Sequence, residues 1–149
     1  MQASSTIAAD QVVAVMLKSE LPHWQGVMSL KYQAVIWPLG WNFNRYIDVP
    51  MHYYEIIGQA RALNLIKKGR YRYYLTEAGL LTSSLFPPEL DKVFLFWMPT
   101  YPIFSDIEQG VRLKTIWDEE IPSFIKSGAL DKIYKRYQLD EGYLRSMTQ

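Results

Sequence analysis

Hydrophobic residues in this chain come in short blocks broken by glycine, proline and polar pairs, and their spacing changes from block to block. Lys31–Trp37 (KYQAVIW) is a β-rich run stopped by Pro38 and Gly40. Val49–Ile56 (VPMHYYEI) is a second run of this kind and Tyr71–Thr76 (YRYYLT) a third. Between the last two, Ile56, Ala60, Leu63 and Ile66 or Lys67 recur at i, i+4, i+7, which predicts an amphipathic helix over Ile57–Lys68 facing a sheet. Lys67 and Lys68 in its last turn complement the helix dipole, and Gly69 is a natural residue just past its end. Strands alternating with a helix of this length predict βαβ units and a parallel sheet. In such sheets ligands bind where strands deliver their carboxyl ends to loops, here Pro38–Asn44 and Thr76–Gly79.

The flanking blocks extend this pattern. Gln11–Leu17 (QVVAVML) has the length and β-branching of a buried strand, although periodicity alone leaves a helix open. Lys18–Met28, with Pro22 and Gly26, is a connection anchored by Trp24. Glu77–Ser84 predicts a short helix with Leu80 and Leu81 inward, and Lys92–Met98 a further buried strand. Ser105 or Asp106 is expected to cap a helix reaching about Ser127, with a core stripe that includes Val111, Leu113, Ile116, Trp117, Phe124 and Ile125. Pro122 would kink or split that helix. Gly128 ends it, and Ala129–Tyr137 predicts a last helix with Leu130, Ile133, Tyr134 and Tyr137 inward; Leu139–Gln149 adds a further short helix. Small, polar Met1–Asp10 is expected to fray.

Composition narrows the function classes. With 149 residues the chain has room for a real core, and 11 Tyr, 5 Trp and 49% hydrophobic residues argue against disorder. A formal charge of +1 gives no global pull toward nucleic acid or anionic membranes. The absence of cysteine removes disulfides, thiolate metal sites and a cysteine nucleophile. No export signal is visible, and the longest apolar stretches fall well short of the ~20 residues of a membrane-spanning helix. His23 and His52 are not at ligand spacing, and GxSxG, P-loop and GxGxxG patterns are absent. The expectation is therefore no catalytic residue, no metal, no cofactor and no enzyme. The acidic run Asp118–Glu120 is expected to be a solvated helix face.

Two stretches carry candidate chemistry. In Pro38–Asn44 (PLGWNFN), Gly40 and the asparagines suit a tight turn, and Asn42 or Asn44 would cap a short helix from about Asn42 to Ile47. Such an N-terminus would aim backbone N–H groups into the crevice as an anion site. The other reading of the loop is a plain turn in which Trp41 and Phe43 cover the sheet. The second stretch mixes Lys67, Lys68, Arg70, Tyr71, Arg72, Tyr73 and Tyr74, a composition that can bind single-stranded nucleic acid. Strand alternation would put Tyr71 and Tyr73 on one face and Arg72 and Tyr74 on the other, dividing the cluster between elements, so no nucleic-acid partner is expected.

The order of these blocks resembles a known family. The run WQGVMSL from Trp24 to Leu30, leading into a strand and Gly40, is similar to the lead-in to the second lobe of type II periplasmic solute-binding proteins, family 3. The helix Ala60–Lys68, followed by Gly69-Arg70 and a strand, matches a second family pattern. Phe104–Gly110 (FSDIEQG), Leu113 and Ile125–Tyr137 (IKSGALDKIYKRY) look like the family's closing segment. Together these matches cover Gln11 to Tyr137.

The resemblance implies an α/β fold: a periplasmic-binding-protein-like second lobe, its parallel or mixed sheet flanked by helices, plus a C-terminal helical segment. It implies a flexible N-terminus over 1–10, that lobe over 11–104, and over 105–149 helices that normally return to a first lobe, most of which is expected to be missing from the chain. The implied function is non-enzymatic capture of a small polar solute by Gly40, Trp41, Asn42, Thr76 and Glu77, in the periplasm and alongside an ABC permease or a receptor. The alternative is a sensor or interaction module of the same fold that binds a protein or self-associates through exposed C-terminal helices. Glu77 corresponds to the acidic residue that meets a ligand ammonium in the family, while Arg70 matches a structural position. Two departures weigh against the family's usual amino-acid ligands: Arg72 stands where those proteins carry Asp, and Trp41 where they carry Ser or Thr.

Overall fold

In the computed structural model, which describes residues 1–82, 84 and 86–139, the sequence blocks become five strands and three α-helices. The strands are β1 (Ala8–Leu17), β2 (Ala34–Pro38), β3 (His52–Ile56), β4 (Tyr73–Glu77) and β5 (Leu90–Thr100). The helices are α1 (Gln59–Lys67), α2 (Glu108–Lys126) and α3 (Ala129–Arg136). The sheet order is β3-β2-β4-β1-β5. β2 is parallel to both β3 and β4, and β1 is antiparallel to β4, so the sheet is mixed. The chain divides into two compact units, Asp10–Met98 and Met1–Ala9 with the chain from Pro99 on, and the division falls inside β1 and β5.

The unit Asp10–Met98 buries both faces of its central strands, which is why β1 is written as an almost unbroken apolar run. Val12, Ala14 and Met16 join Val35, Trp37, Tyr73 and Leu75 in one core cluster. Val13 and Val15 join Ile36 and Tyr74 in another, covered by Ala62, Leu63 and Ile66 of α1. α1 ends as expected: Gly69 adopts φ +64°, and the Arg70 N–H donates to the Leu65 carbonyl at 2.9 Å. Among the described residues of this unit, no α-helix covers the first face. Connections do so instead, among them Phe43 and Ile47, with Trp24 edge-on to Tyr73 at 5.4 Å.

Several expectations are corrected here. β2 starts at Ala34 rather than Lys31 because Tyr32, at φ +59°, turns the chain first. α1 starts at Gln59, so Ala62 replaces Ala60 on the buried face; Ala60 and Lys67 are exposed. The proposed helix over Glu77–Ser84 is a single 3-10 turn, Ala78–Leu80, which buries Leu81 but leaves Leu80 exposed; residue 83 lies outside the described set. β5 is a sheet-edge strand rather than a buried one, with Phe94 49% exposed. That position also lets it run through Pro99, whose missing N–H is tolerated at an edge.

The unit of Met1–Ala9 and the chain from Pro99 on is organised differently. The backbone of Met1–Asp10, a segment expected to fray, is paired. Gln2 bridges Ile103 antiparallel, Ala3 N–H donates to the Pro102 carbonyl at 3.0 Å, and the Met1 ammonium to that of Phe104 at 2.6 Å. Thr6 Oγ1 also donates to the Thr100 carbonyl. Side chains of α2 and α3 hold the same segment: Trp117 Nε1 donates to the Ser5 carbonyl at 2.9 Å and the Tyr134 hydroxyl to that of Ile7 at 2.7 Å. Asp118 is more than a solvated residue. It pairs with Lys114 at 2.5 Å and accepts from Ser4 N and Oγ at 2.7 and 3.1 Å. These donors pull its carboxyl down to about 2, the Lys114 hydrogen bond first.

Neither Ser105 nor Asp106 caps α2, whose first residue is Glu108 and whose cap, Ile107, makes no side-chain hydrogen bond. Ser105 lies against the first turn instead: a Cβ on Gly110 would collide with its carbonyl oxygen. α2 passes through Pro122 without a break, on an exposed side where an unpaired carbonyl is not trapped in a core. The expected core stripe is largely outside: Val111, Leu113, Ile116 and Phe124 are exposed, as are Ile133 and Tyr137 of α3. Leu130 and Tyr134 are the buried pair, packed by Ile7 and Ile125. The further helix expected over Leu139–Gln149 falls on residues 140–149, outside the described set.

Candidate functional site

Because β2, β3 and β4 run parallel, Pro38, Ile56 and Glu77 end at one edge of the sheet and hand the chain to loops there. Gly40, Trp41 and Asn42 follow β2; Thr76 and Glu77 close β4. Topology thus brings all five candidate residues to the edge anticipated for a ligand.

Their side-chain chemistry is less uniform than their placement. Gly40 takes φ +85°, and its N–H donates to Glu55 Oε1 at 3.0 Å. The Trp41 N–H donates to the Pro38 carbonyl at 3.3 Å. Both N–H groups are therefore spent inside the turn. Asn42 sits at φ +50° and donates from Nδ2 to the Gly40 carbonyl at 2.8 Å, so its side chain stabilises the turn and caps nothing. The chain then makes a three-residue 3-10 turn, Phe43–Arg45, too short to present an anion site. Trp41 is half-buried, edge-on to the fully buried Phe43 at 5.4 Å. The plain-turn reading of this loop is the one the geometry supports.

β4 separates its two candidates. Thr76 pairs with Val13 and Glu77 with Val12, and these two valines belong to opposite faces of the sheet. Strand alternation therefore turns Thr76 toward the α1 side and Glu77 toward the other. Thr76 is fully buried, and among the described residues its Oγ1 has no partner of good geometry. Burial raises the neighbouring Tyr74 hydroxyl, and its approach to Thr76 partly offsets that rise.

Glu77 has a neighbour that the sequence blocks did not single out. Asp10, on the same face by alternation along β1, raises the Glu77 carboxyl above its ordinary value in addition to the larger effect of burial. Burial also raises Asp10 itself. Among the described residues neither carboxylate has a hydrogen bond or ion pair. The Glu77 side chain folds back over its own turn, where a Cβ on Gly79 would lie 2.8 Å from Oε1. Gln59, at the start of α1, ties this turn down by donating from Nε2 to the Leu80 carbonyl at 2.9 Å. Sequence reasoning also missed Glu55 and Gln59. The parallel register Trp37↔Glu55 places Glu55 beside the Gly40 turn, and only the pairing reveals that.

Among the described residues there is no group of three or more His, Cys, Asp or Glu side chains able to hold a metal, and no helix is long and apolar enough to cross a membrane. His23 and His52 are exposed.

No family model matches the sequence, and neither does any curated protein. Solved structures do match. The amino-acid ABC transporter substrate-binding protein AbpA of Streptococcus pneumoniae, bound to L-arginine, is 17% identical with TM-score 0.58, over 91% of this chain and 60% of that one. The GluR0 ligand-binding core in complex with L-glutamate is 11% identical with TM-score 0.59, over 91% and 62%. The probable amino-acid ABC transporter extracellular-binding protein YtmK of Bacillus subtilis is 16% identical with TM-score 0.56, over 95% and 65%. This chain thus spans less than two thirds of the length of the structures it matches. It has the α/β fold of the type II periplasmic-binding proteins, shared with the substrate-binding proteins of amino-acid ABC transporters.

Proposed function

We propose that this chain is a solute-binding domain that supplies one wall of a two-walled site, and that its wall recognises the cationic group of a small polar solute. The observation that carries this reading is the Asp10–Glu77 pair. Two half-buried carboxylates share the ligand edge of the sheet with no counter-cation among the described residues. Bringing an ammonium or guanidinium to them would relieve the mutual repulsion that helps keep Glu77 above its ordinary carboxyl range. Trp41 offers a half-buried ring edge next to the turn, and Gly40 and Asn42 shape that turn. The fold-sharing proteins described with bound arginine or glutamate support a small polar ligand of this size. By the same likeness, capture takes place outside the cytoplasmic membrane and delivers solute to an ABC importer. The opposite wall would come from the part of the fold that this chain does not span.

Titration calorimetry with L-arginine, L-glutamine and L-glutamate tests the reading. Arginine is expected to bind more tightly than glutamate at neutral pH, and Glu77→Gln to remove most of that preference. Equal affinity for the two, or an unchanged preference in the variant, would take Glu77 out of the site.

A second reading has its own observation. The exposed apolar residues of α2 and α3, Val111, Leu113, Ile116 and Phe124 with Ile133 and Tyr137, form the kind of surface that supports self-association or protein docking. Sedimentation velocity decides it: a concentration-dependent dimer would support it, and a monomer up to about 100 μM, a range in which weak protein pairs still associate, would count against it.

A further inference from the structure

The mixed basic and aromatic stretch that begins at the end of α1 is not used by the sheet-edge site, and the fold sorts its members into two groups. Lys67 is paired with Glu89 at 2.8 Å and Arg72 with Glu20 at 2.6 Å, while Tyr73 and Tyr74 are buried in the two core clusters. Lys68, Arg70 and Tyr71 are left over, and Tyr71 stands with Tyr54 of β3, edge to face with ring centroids 5.7 Å apart. Tyr71 packs beside the same cluster as Tyr74, because β4 begins at Tyr73 and the strand alternation does not extend back to it.

These residues line two hollows along α1. One, of about 260 Å³, has Tyr54, Ile57, Arg61, Leu65 and Tyr71 among its walls. The other, of about 500 Å³, is lined by Asn64, Leu65, Lys68, Arg70 and Tyr71. Leu65 and Tyr71 belong to both, so the two adjoin. Among the described residues Arg61, Lys68 and Arg70 form no salt bridge, in contrast to Lys67 and Arg72 on either side. Glu55 also lines the smaller hollow, with Oε1 engaged by the Gly40 N–H.

The geometry points to a second binding site in this groove for a small aromatic anion, a planar ring bearing a phosphate or carboxylate, of which a mononucleotide is the type. The anion would lie in the larger hollow between Lys68 and Arg70, where charge-assisted hydrogen bonds form in an otherwise unpaired positive field. The ring would lie in the smaller hollow, against the exposed Tyr54 and its partner Tyr71, with Arg61 at the rim. The combined space suits a ligand of that size. Ring and charge sit at opposite ends of one groove, so each recognises a part of the ligand that the other does not.

The probes are adenosine monophosphate, adenosine, inorganic phosphate and a twelve-residue oligodeoxyadenylate, titrated at low salt and read by amide NMR and calorimetry. Adenosine monophosphate is expected to perturb Tyr54, Arg61, Lys68, Arg70 and Tyr71, with affinity about tenfold or more above phosphate, as one base–aromatic stack would supply. The pair Lys68→Glu with Arg70→Glu should abolish the binding and Arg61→Glu should weaken it, each variant checked for folding by circular dichroism. Equal affinity for phosphate and the nucleotide would mean a nonspecific anion surface and overturn the proposal. So would tighter binding of the oligonucleotide with shifts spreading beyond the groove, or the absence of any response. Neither Asp10 nor Glu77 lines the groove, so this result stands apart from the arginine titration.

Discussion

The two units of the chain are stabilised in different ways. In Asp10–Met98, side chains as large as Trp37, Tyr74 and Phe43 are almost fully buried, and every central strand packs on both faces. In the unit of Met1–Ala9 and the chain from Pro99 on, the nineteen-residue α2 buries only Gly110, and the N-terminal segment is held by hydrogen bonds: Trp117 and Tyr134 donate to it, Asp118 accepts from it, and its backbone pairs with Pro102 and Phe104. Hydrophobic burial scales with apolar area and is insensitive to orientation, whereas hydrogen bonds contribute modestly and depend on geometry. The difference teaches that stability is concentrated in the sheet, and that the helical unit keeps much of its apolar surface available.

The largest expected effect tests that contrast directly. Trp37→Ala should destabilise the protein by about 3–5 kcal/mol, the range for truncating a buried aromatic. Ile116→Ala, at a position 47% exposed, should cost less than about 0.5 kcal/mol. Chemical denaturation followed by circular dichroism measures both. Losses of similar size would break the comparison, because they would require the α2 face to be as buried in solution as the sheet core.

Next comes a single hydrogen bond. Tyr134→Phe keeps the buried ring and removes the donor to the Ile7 carbonyl, for an expected loss of about 1 kcal/mol. Hydrogen exchange should accelerate over Met1–Ala9 and leave β4 unchanged. Acceleration throughout both units would show that they unfold together.

Much of the sheet unit was legible because its signals are local. The run QVVAVML, the stops at Pro38 and Gly40, and the Lys-Lys-Gly ending of α1 each depend on a few adjacent residues, and all three correspond to structure. The parts that were not legible depend on pairing at a distance. Met1–Asp10 has the composition of a fraying end, and the pairing it makes is with partners such as Pro102 and Phe104 about a hundred residues away. Composition likewise made Ser105 a natural cap, but cannot show that it lies against Gly110. At the candidate site the strand ends were readable from the βαβ order. Asp10 was not, because it meets Glu77 only through the β1–β4 register, and the same register sends Thr76 to the other face.

Acid should act on the two units with opposite sign, first at Asp118. Its folded carboxyl lies at about 2, below the ordinary 3.8, so the stabilisation it gives is present above about pH 4 and is lost as pH falls toward 2. Trp117 donates to Ser5, next to the Ser4 that Asp118 holds, so tryptophan fluorescence should report the release of Met1–Ala9 in that window. Asp118→Asn should weaken the anchoring at neutral pH and flatten the acid response. An unchanged fluorescence titration in the variant would show that the segment is held without the carboxylate.

Glu77 gives the smallest effect and the reverse sign. Burial and the charge of Asp10 raise its folded carboxyl above the unfolded value, so its contribution is fully present below the unfolded range and is lost as pH rises through the folded one. The ionised side chain is thus slightly unfavourable at neutral pH, and Glu77→Gln should leave the free protein as stable or a little more stable there. Its stability advantage should vanish in acid, where wild-type Glu77 is protonated. Binding of a cationic solute runs the other way, since it requires the carboxylate and should weaken as pH falls through the raised value. Thermal melts from pH 4 to 8, with and without arginine, measure both slopes on one sample. A variant less stable than wild type at neutral pH would mean that Glu77 holds the turn over Gly79 together. A residue poised for a ligand instead gains stability from losing its charge and loses affinity by the same change.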